Sequence, residues 1–283
     1  MINTFATKPV EQRSNDEVTI WRIGHASVLI NFFGTWIITD PVFSKRFGVP
    51  VPTSPWNVGA RRLHDPQLKI RQLPPIDIIL ISHAHMDHLH PHSCAAIARH
   101  SHHKTHIIAS PGVKQWLKKS LQEKTTVLDR WQYVDIAWVR IQWCEVNHRW
   151  ARYPWWPDRS KWHPLGASYN AYMLEKQWKR VFFGGDTAYT EAMQTYAPVW
   201  GVDLAIMPIG SYDPRIDVHC NPEQALQMAQ MLGARNVVGI HWDSRWRPYK
   251  KREGDKPLRR FIESASCYDI KVMRKFEGEV VSI

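Results

Sequence analysis

Apolar residues along this chain fall into short runs and periodic stripes, and their spacing predicts a mixture of strands and helices. Alternation over residues 19–23, then apolar runs at 26–31 and 35–39 separated by Phe33-Gly34, predict antiparallel strands that open the fold as a meander. From Ile76 the pattern changes. Strands are expected at 76–81, 105–109, 133–145, 167–175, 180–184, 204–207 and 237–241, with helices near 93–100, 112–122, 187–196, 222–232 and 256–264. The helix at 112–122 would begin at Ser110-Pro111 and bury Val113, Trp116, Leu117 and Leu121. The one at 222–232 carries its own punctuation. Asn221 is placed to cap it, Pro222 and Glu223 suit its first turn, and Gly233 closes the stripe of Ala225, Leu226, Met228, Ala229 and Leu232.

Strand-rich segments with interspersed helices in both halves suit two facing sheets covered by helices, a four-layer αβ/βα sandwich of the α/β class. Periodicity alone also allows an open doubly wound sheet. A chain of 283 residues is expected to form a single domain over 1–283, with residues 1–18 as a flexible or peripheral N-terminal segment. No run approaches the roughly 20 apolar residues of a spanning helix, and the N-terminus has no apolar signal stretch, so a cytoplasmic location is expected. The four cysteines, Cys94, Cys144, Cys220 and Cys267, show no paired spacing. That suits a reducing compartment and does not resemble a cysteine metal site.

The candidate chemistry is concentrated in Ser82-His83-Ala84-His85-Met86-Asp87-His88-Leu89-His90, directly after the apolar run 76–81. Residues two apart on an extended segment can both reach one ion, and the Asp-His pair that follows can address a second beside it. A solvated His-rich loop is the plain alternative. Three more groups follow apolar runs downstream, namely His148, Asp186 and His241, where strand ends would bring them to the same place. His163 competes with His148 as a third imidazole, and Asp186 would also serve as the cap of a helix at 187–196.

In order and spacing these groups resemble the metallo-β-lactamase superfamily, whose His-x-His-x-Asp-His motif reads here as His83, His85, Asp87 and His88. The closer likeness is to the branch of N-acyl-phosphatidylethanolamine-hydrolysing phospholipase D and its bacterial relatives. It rests on Ile23-Gly24-His25-Ala26-Ser27, Thr39-Asp40-Pro41-Val42-Phe43-Ser44, Gly184-Gly185-Asp186-Thr187-Ala188-Tyr189, Ile209-Gly210-Ser211-Tyr212, His219-Cys220-Asn221-Pro222-Glu223-Gln224-Ala225 and His241-Trp242. Two positions depart from the branch, Asn147 before His148 and Asp243 after Trp242. The resemblance implies the four-layer fold and two Zn²⁺ per chain, with Mn²⁺ or Fe as alternatives. It implies that His83, His85 and His148 hold one ion, that Asp87, His88 and His241 hold the other, and that Asp186 bridges them. Asp87 and His219 are the candidate catalytic residues, and Asp40 and His25 are expected to orient ligands.

The expected activity is hydrolysis of a phosphodiester, of phospholipase D type, by a metal-bound hydroxide. A carboxylic ester, lactone or amide hydrolase of the same fold is the alternative, because the same nucleophile attacks carbonyls. His219 precedes the cap of the helix at 222–232, where the helix dipole disfavours imidazolium and helps bind an anion, so it is expected to stabilise the transition state or protonate the leaving group. A net charge of +11 and a pI of about 9.6 favour anionic partners, a lipid or small-molecule phosphodiester or an anionic membrane surface. Trp150, Trp155, Trp156 and Trp162 would line an apolar entrance, meet a lipid interface or pack in the core. A nucleic-acid-processing role is disfavoured, since there is neither an RNA-binding motif nor a second domain to grip a strand.

Overall fold

The computed structural model describes residues 15–50, 57–102, 104–149, 169–245, 255–273 and 280–283. A first sheet takes, in spatial order, β1 (Val18–Gly24), β2 (Ser27–Phe32), β3 (Thr35–Thr39), β4 (Ile78–Ile81), β5 (His106–Ala109) and β6 (Thr125–Val127). A second takes β7 (Tyr133–Ile136), β8 (Val139–Cys144), β9 (Ala171–Lys176), β10 (Lys179–Phe183), β11 (Leu204–Pro208), β12 (Asn236–Ile240) and β13 (Lys271–Val272). The last strand, β14 (Val280–Ser282), returns to pair antiparallel with β1, Thr19 opposite Ser282.

Each sheet turns from antiparallel to parallel partway across. The opening meander β1-β2-β3 is antiparallel, while β3, β4, β5 and β6 run parallel. The second sheet repeats the arrangement, antiparallel from β7 to β10 and parallel from β10 to β13. Parallel neighbours need crossovers, and helices supply them. Helix α1 (Pro91–His100) joins β4 to β5, α2 (Pro222–Met231) joins β11 to β12, and α3 (Lys256–Ser264) precedes β13.

The inner faces of the sheets meet. Val28, Ile30, Ile37, Leu80 and Ile108 pack in one cluster with Ile141, Tyr172, Leu174, Val181 and Ile206, all fully buried. The outer face of the first sheet, through Leu29, Ile38, Ile79, Ile81 and Ile107, is covered by Cys94, Ile97 and Ala98 of α1. The outer face of the second, through Phe182, Ala205, Met207 and Val237, is covered by Ala225, Leu226, Met228 and Ala229 of α2 and by Leu258 and Phe261 of α3. Helix, sheet, sheet, helix is the αβ/βα sandwich that the sequence predicts, and it excludes the open doubly wound sheet. Strands covered on both faces read as continuous apolar runs, which is why β4 is Ile-Ile-Leu-Ile.

Several elements differ from expectation. The region 133–145 is a hairpin, β7 and β8 joined by Ala137-Trp138 with φ of +51° and +64°, a turn whose two left-handed centres carry no glycine to announce it. The helix expected at 112–122 cannot start at Ser110-Pro111, because Gly112 has φ +85°. It becomes a 3-10 turn at Lys114–Trp116 and a single turn at Lys119–Gln122, with Leu117 extended between them; Val113, Leu117 and Leu121 are still buried. The helix expected at 187–196 is shortened to a 3-10 segment, Glu191–Tyr196, capped by Thr190. Val18, expected within a peripheral segment over 1–18, is fully buried and begins β1, while residues 1–14 lie outside the described residues. Among the described residues no helix is long and apolar enough to cross a membrane.

Candidate metal centre

The predicted site residues meet at one edge of the sandwich, beyond the carboxyl ends of parallel strands, where α/β sheets commonly form their crevices. His83, His85, Asp87 and His88 occupy the loop between β4 and α1, and Asp40 directly follows β3. Asp186 follows β10, His148 follows β8, and His241 follows β12 with φ +64°. His219 sits on the loop before α2, whose capping box is complete: Asn221 Oδ1 accepts from Gln224 N at 2.9 Å and Gln224 Oε1 accepts from Asn221 N at 3.0 Å.

Local sequence explains how these loops come so close. Gly185 has φ +58°, and a Cβ there would lie 2.7 Å from that of Ser82, so glycine lets the loop carrying Asp186 press against the loop carrying the histidines. Thr187 and Ala188 are tied to Asn147, through Thr187 Oγ1 at 3.0 Å from Asn147 N and Ala188 N at 2.7 Å from Asn147 O. That tether brings His148 over Asp186, and it is also why no helix starts at 187. Asp186 is therefore not a cap, which removes that alternative.

Asp186 Oδ2 is the hub. His88 Nε2 lies 3.0 Å from it, His241 Nε2 3.1 Å, His219 Nδ1 3.8 Å, and His83 and His148 Nε2 3.9 Å each. Asp87 Oδ2 is 3.3 Å from His241 Nε2, and His85 Nδ1 is 3.3 Å from His148 Nε2. Two donor sets emerge, His83, His85, His148 and Asp186 on one side and His25, Asp87, His88 and His241 on the other, with a third grouping of Asp186, His219 and His241 between them. His148 lies in the first of these sets; its rival His163, like the Trp-rich segment 150–162, lies outside the described residues.

This donor set fits divalent metal ions. Donors around one tetrahedral ion with arms of about 2.0–2.1 Å sit about 3.3 Å apart, close to the spacings seen around His241. Among the described residues, the buried atoms His83 Nε2, Asp186 Oδ1, His219 Nδ1 and His241 Nδ1 have no hydrogen-bond partner. Such an atom costs about 1–3 kcal/mol when buried unpaired, and a cation could serve these atoms as a partner. A solvated histidine loop is excluded, since His83, His88 and His241 are at most 1 % exposed.

Protonation follows from burial and charge. Burial, helped by His88 and His85, pushes His83 far below the ordinary histidine value; burial and His85 do the same to His148. Burial also brings His219 down to about 4. For Asp186 burial would act upward, but His241 and His88 hold the carboxyl well below its usual range. For His88 burial opposes the charge, yet Asp186, Asp40 and Asp87 outweigh it and raise the imidazole well above the ordinary value; against burial, Asp243 and Asp87 raise His25 as well.

Outside the donors, hydrogen bonds fix ring orientation. Asp40 Oδ2 lies 2.6 Å from both His88 Nδ1 and Ser82 Oγ, and Ser82 Oγ is 2.9 Å from His83 Nδ1. His148 Nδ1 is 2.7 Å from the Val218 carbonyl. His25 Nε2, itself within the second donor group, lies 3.2 Å from Asp87 Oδ2. One residue escaped sequence reasoning: Tyr169 turns its ring edge-on to His148, with centroids 4.9 Å apart, and nothing near it in the sequence signals this. Asp243, marked in the sequence only as a departure after Trp242, lies behind His25.

Comparison with known proteins agrees with this architecture. N-acyl-phosphatidylethanolamine-hydrolyzing phospholipase D 1 of Caenorhabditis elegans is 29% identical over 247 residues, covering 78% of this chain and 62% of the nematode protein, so the chain spans less than two thirds of that relative. A metal-dependent hydrolase of Methylacidiphilum infernorum is 23% identical over 222 residues, covering 78% of this chain and 83% of that one. In structure, a metallo hydrolase from Ignicoccus hospitalis superimposes with a TM-score of 0.63 at 20% identity, covering 94% of this chain and 98% of that chain. Residues 35–242, most of the chain and nearly all of the cluster described above, match the Beta-lactamase superfamily domain, and the protein belongs to that superfamily.

Proposed function

We propose that this protein is a metal-dependent hydrolase with a two-ion centre that cleaves a phosphodiester, in a reaction of phospholipase D type. The observation that carries the reading is the convergence of five imidazoles on a single buried carboxylate oxygen, Asp186 Oδ2, at 3.0–3.9 Å. One group of donors, His83, His85 and His148, would hold one ion; Asp87, His88 and His241 would hold the other; Asp186 would serve both. When bound, such a pair of ions supplies Lewis acidity toward a phosphoryl oxygen and makes water a nucleophile at neutral pH by bringing its pKa to about 7. Zn²⁺ suits an all-imidazole and carboxylate set, and Mn²⁺ or Fe would use the same donors.

The chain's own residues supply the rest. His219 Nδ1 is buried, unpartnered and directed at Asp186, on a loop that delivers it to the N-terminus of α2. Neutral at pH 7, it would donate a hydrogen bond to a phosphoryl oxygen or to the departing oxygen without adding a positive charge of its own. Arg149 and Asp217, paired on the loops that carry His148 and His219, hold those two loops together. The net charge of +11 favours an anionic substrate, and the similarity to the nematode phospholipase D supports a lipid phosphodiester.

Reconstitution tests the reading. Chelator-stripped protein, reloaded in turn with Zn²⁺, Mn²⁺ and Fe²⁺, is expected to hydrolyse bis(p-nitrophenyl) phosphate or a phosphatidylethanolamine and to leave lactones untouched. Elemental analysis should find two ions per chain, and Asp186→Ala should lose both. Inertness toward every phosphodiester, with turnover of lactones or esters, would transfer the centre to carbonyl chemistry; loss of only one ion would show that Asp186 does not serve both.

A further inference from the structure

The acid two residues beyond His241 has no part in the centre as described so far. Asp243 is fully buried, and both its oxygens are engaged: Oδ1 lies 3.1 Å from His25 Nδ1, while Oδ2 accepts the His25 backbone N–H at 3.0 Å and an ion pair from Arg22 Nη2 at 3.1 Å. Arg22 is itself 6 % exposed, with its guanidinium carbon 4.4 Å from the centre of the Trp242 ring. The other nitrogen of His25 faces Asp87 Oδ2 at 3.2 Å. Four buried side chains therefore run in one line, Arg22 to Asp243 to His25 to Asp87.

Filling space would not call for this line. Taking ions out of water costs several kcal/mol each even when they are paired, and apolar side chains of similar volume would pack as well. The backbone is also bent to place the ring: His25 has φ +53°, a conformation that costs a non-glycine residue about 1–3 kcal/mol. His25 O in turn accepts from His241 N at 3.1 Å, so the same turn fixes the backbone of a second donor. Both consequences fall on one side of the centre. The line ends on Asp87 and touches neither His83, His85 nor His148.

We propose that Asp243, backed by Arg22, is a positioning residue for one of the two ions: it fixes the His25 ring, and His25 holds the Asp87 carboxylate in the orientation that takes the metal. The inference rests on the two-ion reading. It commits to an asymmetric effect, because a second-layer carboxylate that orients a histidine typically changes metal affinity by about 10- to 100-fold, and here the change should fall on one equivalent of metal alone.

The test is a Zn²⁺ titration of metal-free protein against a chelating indicator, which resolves two affinities without any substrate. Asp243→Asn is expected to weaken one equivalent by about 10- to 100-fold and leave the other unchanged. His25→Ala should weaken the same equivalent, and the double variant should be no weaker than His25→Ala, because the influence of Asp243 passes through the ring. Additive losses, equal weakening of both equivalents, or an unchanged Asp243→Asn variant would overturn the proposal. A parent protein that binds fewer than two ions overturns the two-ion reading and this inference with it, whereas two ions in the parent and in Asp243→Asn with unaltered affinities overturns this inference alone. Should Asp243→Asn fail to fold by circular dichroism, Arg22→Gln reads the line from its outer end. A smaller loss at the same equivalent supports the proposal; loss of fold there too marks the line as structural and overturns it.

Discussion

Asp40 Oδ2 lies 2.6 Å from His88 Nδ1, with both side chains wholly buried, and this contact leaves the opposite nitrogen of His88 facing Asp186. The carboxylate thus selects the tautomer that offers Nε2 to a metal. Asp40→Ala should weaken metal binding by about 10- to 100-fold while leaving the sheets intact. Chelator competition reads the affinity and circular dichroism the fold. Unchanged affinity in a folded variant would reduce Asp40 to a turn residue before Pro41.

Metal uptake should fall as pH is lowered, and His88 decides the sense. Its proton affinity is raised, against burial, by Asp186, Asp40 and Asp87, so in metal-free protein the imidazole holds its proton to higher pH than a free histidine. A ligating nitrogen must give that proton up. Above the raised pKa the nitrogen is free and affinity reaches a plateau; below it, each unit of pH lowers affinity about tenfold per proton displaced. Calorimetry in buffers of differing ionisation enthalpy measures the proton count directly. Binding with no proton release near neutral pH would contradict the charge assignment of His88.

Much of this site could be read from the chain, for a physical reason. His83, His85, Asp87 and His88 are local in sequence, β4 and β12 are largely apolar, β8 alternates and β10 ends in Val181-Phe182-Phe183, so a donor following such a segment could be placed at a strand end without knowing the partner strand. The layers were legible for the same reason, since covered strands and capped helices such as α2 announce themselves locally. What failed was decided by distant contacts. Thr187 and Ala188 are claimed by Asn147, which pre-empts a helix at 187; the turn at Ala137-Trp138 adopts two left-handed residues without glycine. Asp243 gains its meaning only from His25, 218 residues earlier in the chain.

Gly185→Ala should damage the centre without removing any donor. The new methyl would lie 2.7 Å from Ser82 Cβ and 3.1 Å from the Asn170 carbonyl, and φ +58° adds strain of its own. A shift of the Asp186 loop away from Ser82 is the relief open to it. Overpacking of this kind costs about 1–3 kcal/mol, so a lowered melting temperature and weakened binding of both ions are expected together. A variant as stable as the parent, with both affinities intact, would show that the two loops are not held in register by that contact.

His219 offers a separation of chemistry from metal binding. Its Nδ1 is 3.8 Å from Asp186 Oδ2, about as far as His83 and His148 at 3.9 Å, and its ring stacks on that of His241 with centroids 5.2 Å apart. What sets it apart is its place on the loop before α2 and outside both four-residue donor groups, and its pKa of about 4 leaves it neutral at pH 7. His219→Ala should therefore keep both ions while lowering turnover by about 10² to 10⁴, the loss typical of a missing proton donor or oxyanion partner. The leaving group distinguishes these roles. A p-nitrophenolate departs without help at its oxygen, so a variant rescued on that substrate identifies the departing oxygen as the acceptor of the His219 hydrogen bond, and one equally slow on both identifies the phosphoryl oxygen as that acceptor. Loss of an ion in the variant would instead make His219 a ligand, through the grouping it forms with Asp186 and His241.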